Sequence, residues 1–530
     1  MKLRYLDFET YYSNDYTLKK MTSEEYIRDP RFQTIGFSIR TDYPDAPAVW
    51  VTGDDDYMAD KLHSLPWNDT IIVGHNMSEF DSLILSHHYG IVPKFYQCTL
   101  QMARAIHGKD VSKSLAALCK KYGLPDKGHE VHDAKNKRRE DFTPQQLAAY
   151  GNYCIGDTER CRELYHILRK ELPASELQIS HLFTRMFADA RLKLDGELLG
   201  SMLTDLRDNS ARMLDVAAGT MGITAATDEL RRLATRTALR SDAKFAALLS
   251  DVFSIEPPTK LSPKQKNEDG TPKTVYAFAK TDEAMQDMAA DDEDEDLQAI
   301  VAARLGAKST QAETRMERLV GIAHRGALPV PLVYGKTHTH RAAGGGKINL
   351  QNLPRVKGVD EKVRAGALIH TPDGYKRAFR FNSLKKLVMT DDQSIYSARD
   401  CRVAGLRDAI MAPEGKVLVV ADSSNIELRV CHLLAGQMDT VEKLRSGVDL
   451  YCDFAQDIYG YPIDKKVHVR ERQHGKVGHL QLQFQSGGAS FRRAARIMGG
   501  VKLTLEEADT TVQVYRKKHA KIRAFWNTAQ

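Results

Sequence analysis

Apolar and polar side chains alternate at the very start of the chain, where Leu6 and Phe8 fall between Tyr5, Asp7 and Glu9. A strand repeats every two residues, so this segment predicts a strand with both carboxylates leaving one face. Residues 1–175 go on alternating short apolar runs such as Thr70-Ile71-Ile72-Val73 with helical stretches such as Ser112 to Tyr122. That alternation is the pattern of an α/β domain. Thr143-Pro144-Gln145-Gln146 reads as an N-cap, a proline at the first helical position and a capping-box glutamine. The helix it starts carries Tyr153 and Asp157 at i and i+4, on one face.

From Leu172 to about Leu249 the apolar spacing becomes three and four, which predicts helices. Pro257 to Asp282, rich in proline and lysine, reads as a loop or hairpin between helices. An unbroken acidic run from Asp291 to Asp296 then precedes another amphipathic stretch and suits a helix N-terminus through its dipole. The lysines at 260, 264, 266, 273 and 280, with Arg231, Arg232, Arg236 and Arg240, are either phosphate grips or a plain solvated face. Lys416 to Ala421 is an apolar run predicted as a buried strand that ends at Asp422, with Glu427 and Arg429 following. Asp422 is read there as a metal-holding carboxylate or as a helix cap. Arg472, Lys476, Leu480 and Phe484 fall at successive steps of four, predicting one slowly turning stripe on a single helix. Two cations followed by two apolar side chains suit a triphosphate at one end and a base at the other. Asn349, Gln351, Asn352 and Arg355 follow a glycine run and could track a nucleic-acid backbone.

The chain has 530 residues and a net charge of +6, a surplus that permits an anionic partner without demanding one. That length suggests three or four domains. Seven cysteines with no CxxC pair argue for a reducing compartment and against a disulfide framework or zinc ribbon. The N-terminus lacks a signal-peptide apolar core, and no apolar run approaches ~18 residues, so the expectation is a cytoplasmic protein with no membrane partner.

The candidate chemistry gathers in the first 160 residues: Asp7, Glu9, Asp81, Tyr153 and Asp157. Four carboxylates brought together repel one another unless cations fill the site, and oxygen ligands favour magnesium or manganese over zinc. Two such ions roughly 3.5–4 Å apart activate water and stabilise a leaving oxygen. On this reading Asp157 is a ligand, and the Tyr153 hydroxyl holds the attacking water.

The ordered pattern D-x-E, N-x3-F-D, Y-x3-D resembles the DEDD-type 3′–5′ exonucleases with a tyrosine in the third motif. Farther on, HTHR-x7-NLQNLPR, then LRDAIMAPEGKVLVVADSSNIELRV, then R-x3-K-x3-L-x3-F resemble the palm and fingers of family A DNA polymerases of the bacteriophage type. The resemblance implies a ribonuclease H-like exonuclease domain at 1–180, followed by an incomplete right-hand polymerase. Its thumb-like region would span 181–330, its partial palm 331–435 and its partial fingers 436–530. It implies that Asp422 ligates both polymerase metals, that Glu427 is the steric gate against a ribose 2′-hydroxyl, and that Arg472 and Lys476 hold the triphosphate. Leu480 and Phe484 would pack on the sugar and templating pair. Arg341, Asn349, Gln351, Asn352, Arg355 and Arg429 would contact DNA.

Primer–template and dNTPs are thus the expected partners, with two Mg2+ per active site and Mn2+ able to substitute. The host cytoplasm is the expected location of a phage-encoded enzyme. The family's His-Asp-Glu motif is not found after Phe484, so the expectation is either a truncated reading frame or a split polymerase whose remainder is a separate C-terminal fragment. His340, Ser423, Gln481, Gln483 and Phe484 also depart from the family pattern. Two other functions compete: a stand-alone 3′–5′ exonuclease on DNA or RNA ends, and a non-catalytic DNA-binding replication subunit.

Overall fold

A five-stranded sheet organises the N-terminal residues of the computed structural model. Its order is β3 (Val49–Val51), β2 (Thr34–Thr41), β1 (Lys2–Thr10), β4 (Thr70–Gly74) and β5 (Phe95–Cys98). β1 is central, antiparallel to β2 and parallel to β4, which makes the sheet mixed. The described residues are all except 109, 127–133, 290–293, 309, 338, 355–366, 378, 385, 390–393, 398–400 and 529–530.

Both faces of β1 are covered, and the alternation read in the sequence decides what covers each. Leu6 and Phe8 enter a core with Phe37, Leu83, Ile84 and Tyr89. Tyr5 enters the core on the opposite face, with Leu115, Leu118, Leu164 and Leu168. The connecting helices are α1 (Ser23–Ile27), α2 (Asp55–His63), α3 (Asp81–Tyr89), α4 (Thr99–His107), α5 (Leu115–Tyr122), α6 (Pro144–Leu168) and α7 (Ala174–Ala188). Because Asp7 and Glu9 share the parity of Tyr5, they look toward the side closed by α5 and α6.

The start of α6 follows from its sequence. The Thr143 hydroxyl accepts from the Gln146 amide at 3.2 Å, and the Gln146 side chain accepts from the Thr143 amide at 3.0 Å. α6 approaches the sheet closely because Trp50 lodges between two glycines. A Cβ on Gly36 would meet the indole at 2.4 Å, and one on Gly151 at 2.6 Å. Thr143→Ala should cost about 1 kcal/mol, the usual worth of an N-cap. The change should appear as faster amide exchange in the first turn of α6, and unchanged exchange would mean the cap adds nothing.

The chain forms two compact units, residues 1–209 with 309–418 and residues 210–308 with 419–530. These units cut across the linear four-part reading, since 181–209 and 331–418 group with the N-terminal segment. In the second unit, helices Asp228–Arg240, Asp242–Phe253 and Glu295–Lys308 enclose a core of Leu239, Phe245, Phe278, Ile300 and Val301. Arg304 is fully buried there, its guanidinium 4.3 Å from the Phe245 ring centroid and bonded to the Leu239 carbonyl and Asp242. The lysine-rich segment is a hairpin, Thr259–Lys266 against Pro272–Tyr276. Asp294 caps the helix after the acidic run, accepting from the Leu297 amide at 2.8 Å, while 291–293 lie outside the described residues. A second apolar core in this unit gathers Phe454, Val477, Phe491, Val512 and Tyr515. Among the described residues, no helix is long and apolar enough to cross a membrane.

Two sequence expectations fail in this unit and at its margin. Lys416 to Ala421 is not a buried strand: Val417, Val419 and Val420 are 82%, 89% and 90% exposed, and the segment carries no strand pairing. Apolar side chains alone cannot hold a strand, which needs a neighbour for its backbone hydrogen bonds. The predicted stripe is also shorter. The helix Val469–Leu482 carries Arg472, Lys476 and Leu480, but Phe484 lies beyond its C-terminus and is 62% exposed. Gln485 adopts a left-handed φ of 69° just before Ser486-Gly487-Gly488, and the helix cannot continue through that conformation.

Candidate active sites

The N-terminal site assembles from β1, the start of α3 and the middle of α6. The Asp81 carboxylate accepts from the amide of Phe8, the residue between Asp7 and Glu9, at 3.2 Å. This bond ties the second motif to the first. Asp81 is 2% exposed, and burial pushes its carboxyl up to about 7, against the pull of the backbone amides it accepts from. From α6, the Tyr150 hydroxyl donates to Glu9 Oε2. The Cys154 thiol donates to the Asp7 carbonyl at 3.4 Å and to Asp7 Oδ2 at 3.6 Å. Ligand atoms of Asp7, Glu9 and Cys154 all lie within 4.8 Å of one another.

Tyr153 and Asp157 are buried on α6, at 6% and 5% exposure. The Tyr153 ring stacks on that of Tyr150, with centroids 6.1 Å apart. Asp157 sits 3.5 Å from the Arg160 guanidinium, which also binds the carbonyls of Pro125 and Asp126. Tyr150, Cys154 and Arg160 were not singled out in the sequence. The signal was there for two of them, because 150, 153/154 and 157 form one helical stripe with the expected metal ligand at its end.

This donor set fits a hard divalent cation. Several carboxylates are gathered with Asp81 buried and electrostatically strained, a state that bound positive charge relieves. The thiol of Cys154 is pushed well up by burial and by Asp7 and Glu9, in keeping with its donating hydrogen bonds to Asp7.

The polymerase candidates are less organised. Asp422 stands in exposed coil between the apolar run and the helix Ile426–Leu434, and Glu427 lies in that helix's first turn. Arg429 is exposed and donates to the Ser424 carbonyl at 2.9 Å. Arg472 is held by Asp449 at 2.8 Å and lies over the Tyr451 ring at 5.3 Å, with Lys476 one turn farther along the same helix. Glu507 is committed to the Thr504 capping box.

In the other unit, Gln351 donates to the Ala342 carbonyl at 2.9 Å, and Asn349 adopts a left-handed φ of 47°. Asn352 and Arg341 are exposed, while Arg355 lies outside the described residues. Several basic residues read as phosphate grips are already paired: Arg231 and Arg232 with Asp215, and Lys260 with Asp282. Lys264, Lys266, Lys273 and Lys280 remain exposed.

Comparison with known proteins agrees with both halves. The 3′–5′ exonuclease family matches residues 22–173, and DNA polymerase family A matches residues 222–530. The chain is 22% identical over 548 aligned residues to the DNA polymerase of Bacillus phage SP02, covering 99% of this chain and 76% of that one. It is 29% identical over 120 residues to the thermostable DNA polymerase I of Thermus thermophilus, covering 23% of this chain and 14% of that one. The POL domain of Pol1 from M. smegmatis, solved with DNA primer-template and dNTP, shares the fold. Its TM-score is 0.59 at 16% identity, over 94% of this chain and 72% of that chain. Exonuclease and polymerase domains of these kinds generally use divalent metal ions. The exonuclease match frames the residues that converge on Asp7 and Glu9, and the polymerase match covers more than half of the chain; the protein belongs to DNA polymerase family A and carries an N-terminal 3′–5′ exonuclease domain.

Proposed function

We propose that the N-terminal unit trims DNA from the 3′ end with Asp7, Glu9, Asp81, Tyr153 and Asp157. The polymerase half, on this proposal, holds a primer–template and an incoming dNTP. The observation that carries the first part is the bond from the Phe8 amide to Asp81, which joins two motifs separated by 73 positions in the chain. Mg2+ is the proposed metal, two ions per site with Mn2+ able to substitute. Held by the four carboxylates, these ions would supply the charge that activates water and stabilises the leaving oxygen. Tyr150 holds Glu9 in place, Tyr153 orients the water, and Asp157 offers its carboxylate where Arg160 now sits. The enzyme would act in a bacterial host's cytoplasm, as the likeness to a phage polymerase suggests.

In the polymerase half, Asp422 would hold metal and Glu427 would exclude the ribose 2′-hydroxyl. Arg472 and Lys476 would take the triphosphate, and Leu480 and Phe484 the sugar and templating pair. Arg341, Asn349, Gln351, Asn352, Arg355 and Arg429 would lie along DNA. The linear division at 180, 330 and 435 remains the proposed functional one. A primer labelled at its 5′ end tests the first part: with Mg2+ the chain should shorten it one nucleotide at a time. A product pattern of internal cuts would overturn the assignment.

Two further outcomes follow from the charges. Lys476→Ala should weaken dNTP binding to the chain–primer–template complex by about 10-fold or more, the worth of one charge-assisted contact. Fluorescence titration checks this, and unchanged affinity would remove Lys476 from the triphosphate site. Primer–template affinity should fall steeply with salt and respond little to sequence, because lysines and arginines aimed at phosphates release counterions. A shallow salt slope with strong preference for one sequence would contradict it.

A further inference from the structure

Three imidazoles meet in the interior of the second unit. His432 comes from the helix Ile426–Leu434, His479 from Val469–Leu482, and His519 caps the helix Leu505–Lys518. None of the three is more than 1% exposed. One ring nitrogen from each lies within 4.8 Å of the other two. The ring centroids are 4.9, 5.3 and 6.0 Å apart.

A histidine in a core normally satisfies both nitrogens, and nearby His474 shows the ordinary case. It is equally buried, but bonds the Tyr459 hydroxyl at 2.9 Å and the Thr511 hydroxyl at 3.2 Å. In the cluster only His479 Nε2 has a partner, the Leu450 carbonyl at 3.1 Å. Both nitrogens of His432, both of His519 and Nδ1 of His479 have none among the described residues. Orphaned buried polar atoms on three converging side chains require an explanation.

We propose that His432, His479 and His519 form a binding site for a late first-row divalent transition metal, zinc by its chemistry, that pins these three helices together. Zinc takes imidazole nitrogens at about 2.0–2.1 Å in a tetrahedron, which sets ring centroids about 5 Å apart, close to the spacing observed. Small side-chain rotations bring the nitrogens in. The His479 Nε2–H bond to a backbone carbonyl leaves its Nδ1 lone pair for the metal, as second-shell carbonyls do at such sites. Burial holds all three rings neutral, so their lone pairs are available. Asp439 acts on His432 and would offset part of the ion's charge, while Asp453 is already paired with Lys443 and Lys518. An all-nitrogen set selects against magnesium, which keeps this site distinct from the carboxylate chemistry. The staple would stiffen the helix that presents Arg472 and Lys476.

The test uses the full chain carrying Asp7→Ala and Asp157→Ala, so that the carboxylate site cannot retain zinc. After chelator treatment, one equivalent of Zn2+ is added in excess Mg2+, and metal is counted by mass spectrometry after gel filtration. One zinc per chain should be retained, and the unfolding midpoint should rise by several degrees. Co2+ in its place should give the intense visible bands of a tetrahedral nitrogen site. Folded His479→Phe should lose the retained zinc and the bands. The site is overturned if the parent chain keeps no zinc, if Co2+ shows only weak octahedral absorption, or if a folded His479→Phe chain keeps its zinc. None of these outcomes depends on the exonuclease or polymerase assignments.

Discussion

Asp7→Ala should lower 3′-end trimming by at least ~100-fold, because a two-metal site loses a carboxylate it cannot replace from solvent. Asp7 lies on the central strand, with Glu9 two residues on and the amide of Phe8 between them bonded to Asp81. Removing its charge therefore acts directly beside Glu9 and on the Cys154 thiol that bonds it. The strand itself should survive, since the flanking core rests on Leu6 and Phe8 on one face and Tyr5 on the other. Asp7→Asn sharpens the test. It keeps the volume and a carbonyl oxygen for the Cys154 thiol while deleting the negative charge, and should be nearly as inactive. Single-turnover digestion of a labelled single strand measures both. A rate within a few-fold of the parent in either variant would remove Asp7 from the site.

The parts of this site that were legible in the sequence are those set by local periodicity. Alternation alone placed Asp7 and Glu9 on one face of β1, and the Thr143-Pro144-x-Gln146 signature gave the start of α6. The bond from Phe8 to Asp81 was not legible, since spacing within one segment cannot say which distant loop closes on it. Tyr150 and Cys154 were within reach of the same helical arithmetic that paired Tyr153 with Asp157. The carboxylate pattern does not include either of them, although one orients Glu9 and the other bonds Asp7.

Farther along the chain, composition misled where partners decide the outcome. Val417 to Val420 has the apolar side chains of an inner strand, yet a strand exists only with a neighbour to accept its hydrogen bonds. The helix bearing Arg472 and Lys476 ended early for a different reason. Its four-residue spacing continues to Phe484, but Ser486-Gly487-Gly488 follows at once, and those residues signal a break that the apolar spacing obscures. The three orphaned histidines lie 40 or more positions apart in the chain, so nothing in their local sequence marks them as a group.

The comparison of Tyr153→Phe with Asp157→Ala separates the role of orienting water from that of binding metal. Both residues lie buried on α6 one turn apart, so damage to the helix would lower both rates alike. Tyr153→Phe keeps the ring that stacks on Tyr150 and removes one hydroxyl. Losing one hydrogen bond is worth roughly 1–3 kcal/mol, and at the lower end this is about fivefold in rate. Asp157→Ala removes a carboxylate and should cost more than ~100-fold. Arg160 stays anchored on the carbonyls of Pro125 and Asp126, so this variant should fold and leave only a cation without its counter-charge. Raising Mg2+ or Mn2+ should recover part of the Asp157→Ala loss by mass action and none of the Tyr153→Phe loss. Single-turnover rates across a metal titration give all four quantities. Equal losses, or equal recovery by metal, would mean that Tyr153 does more than orient water or that Asp157 binds no metal.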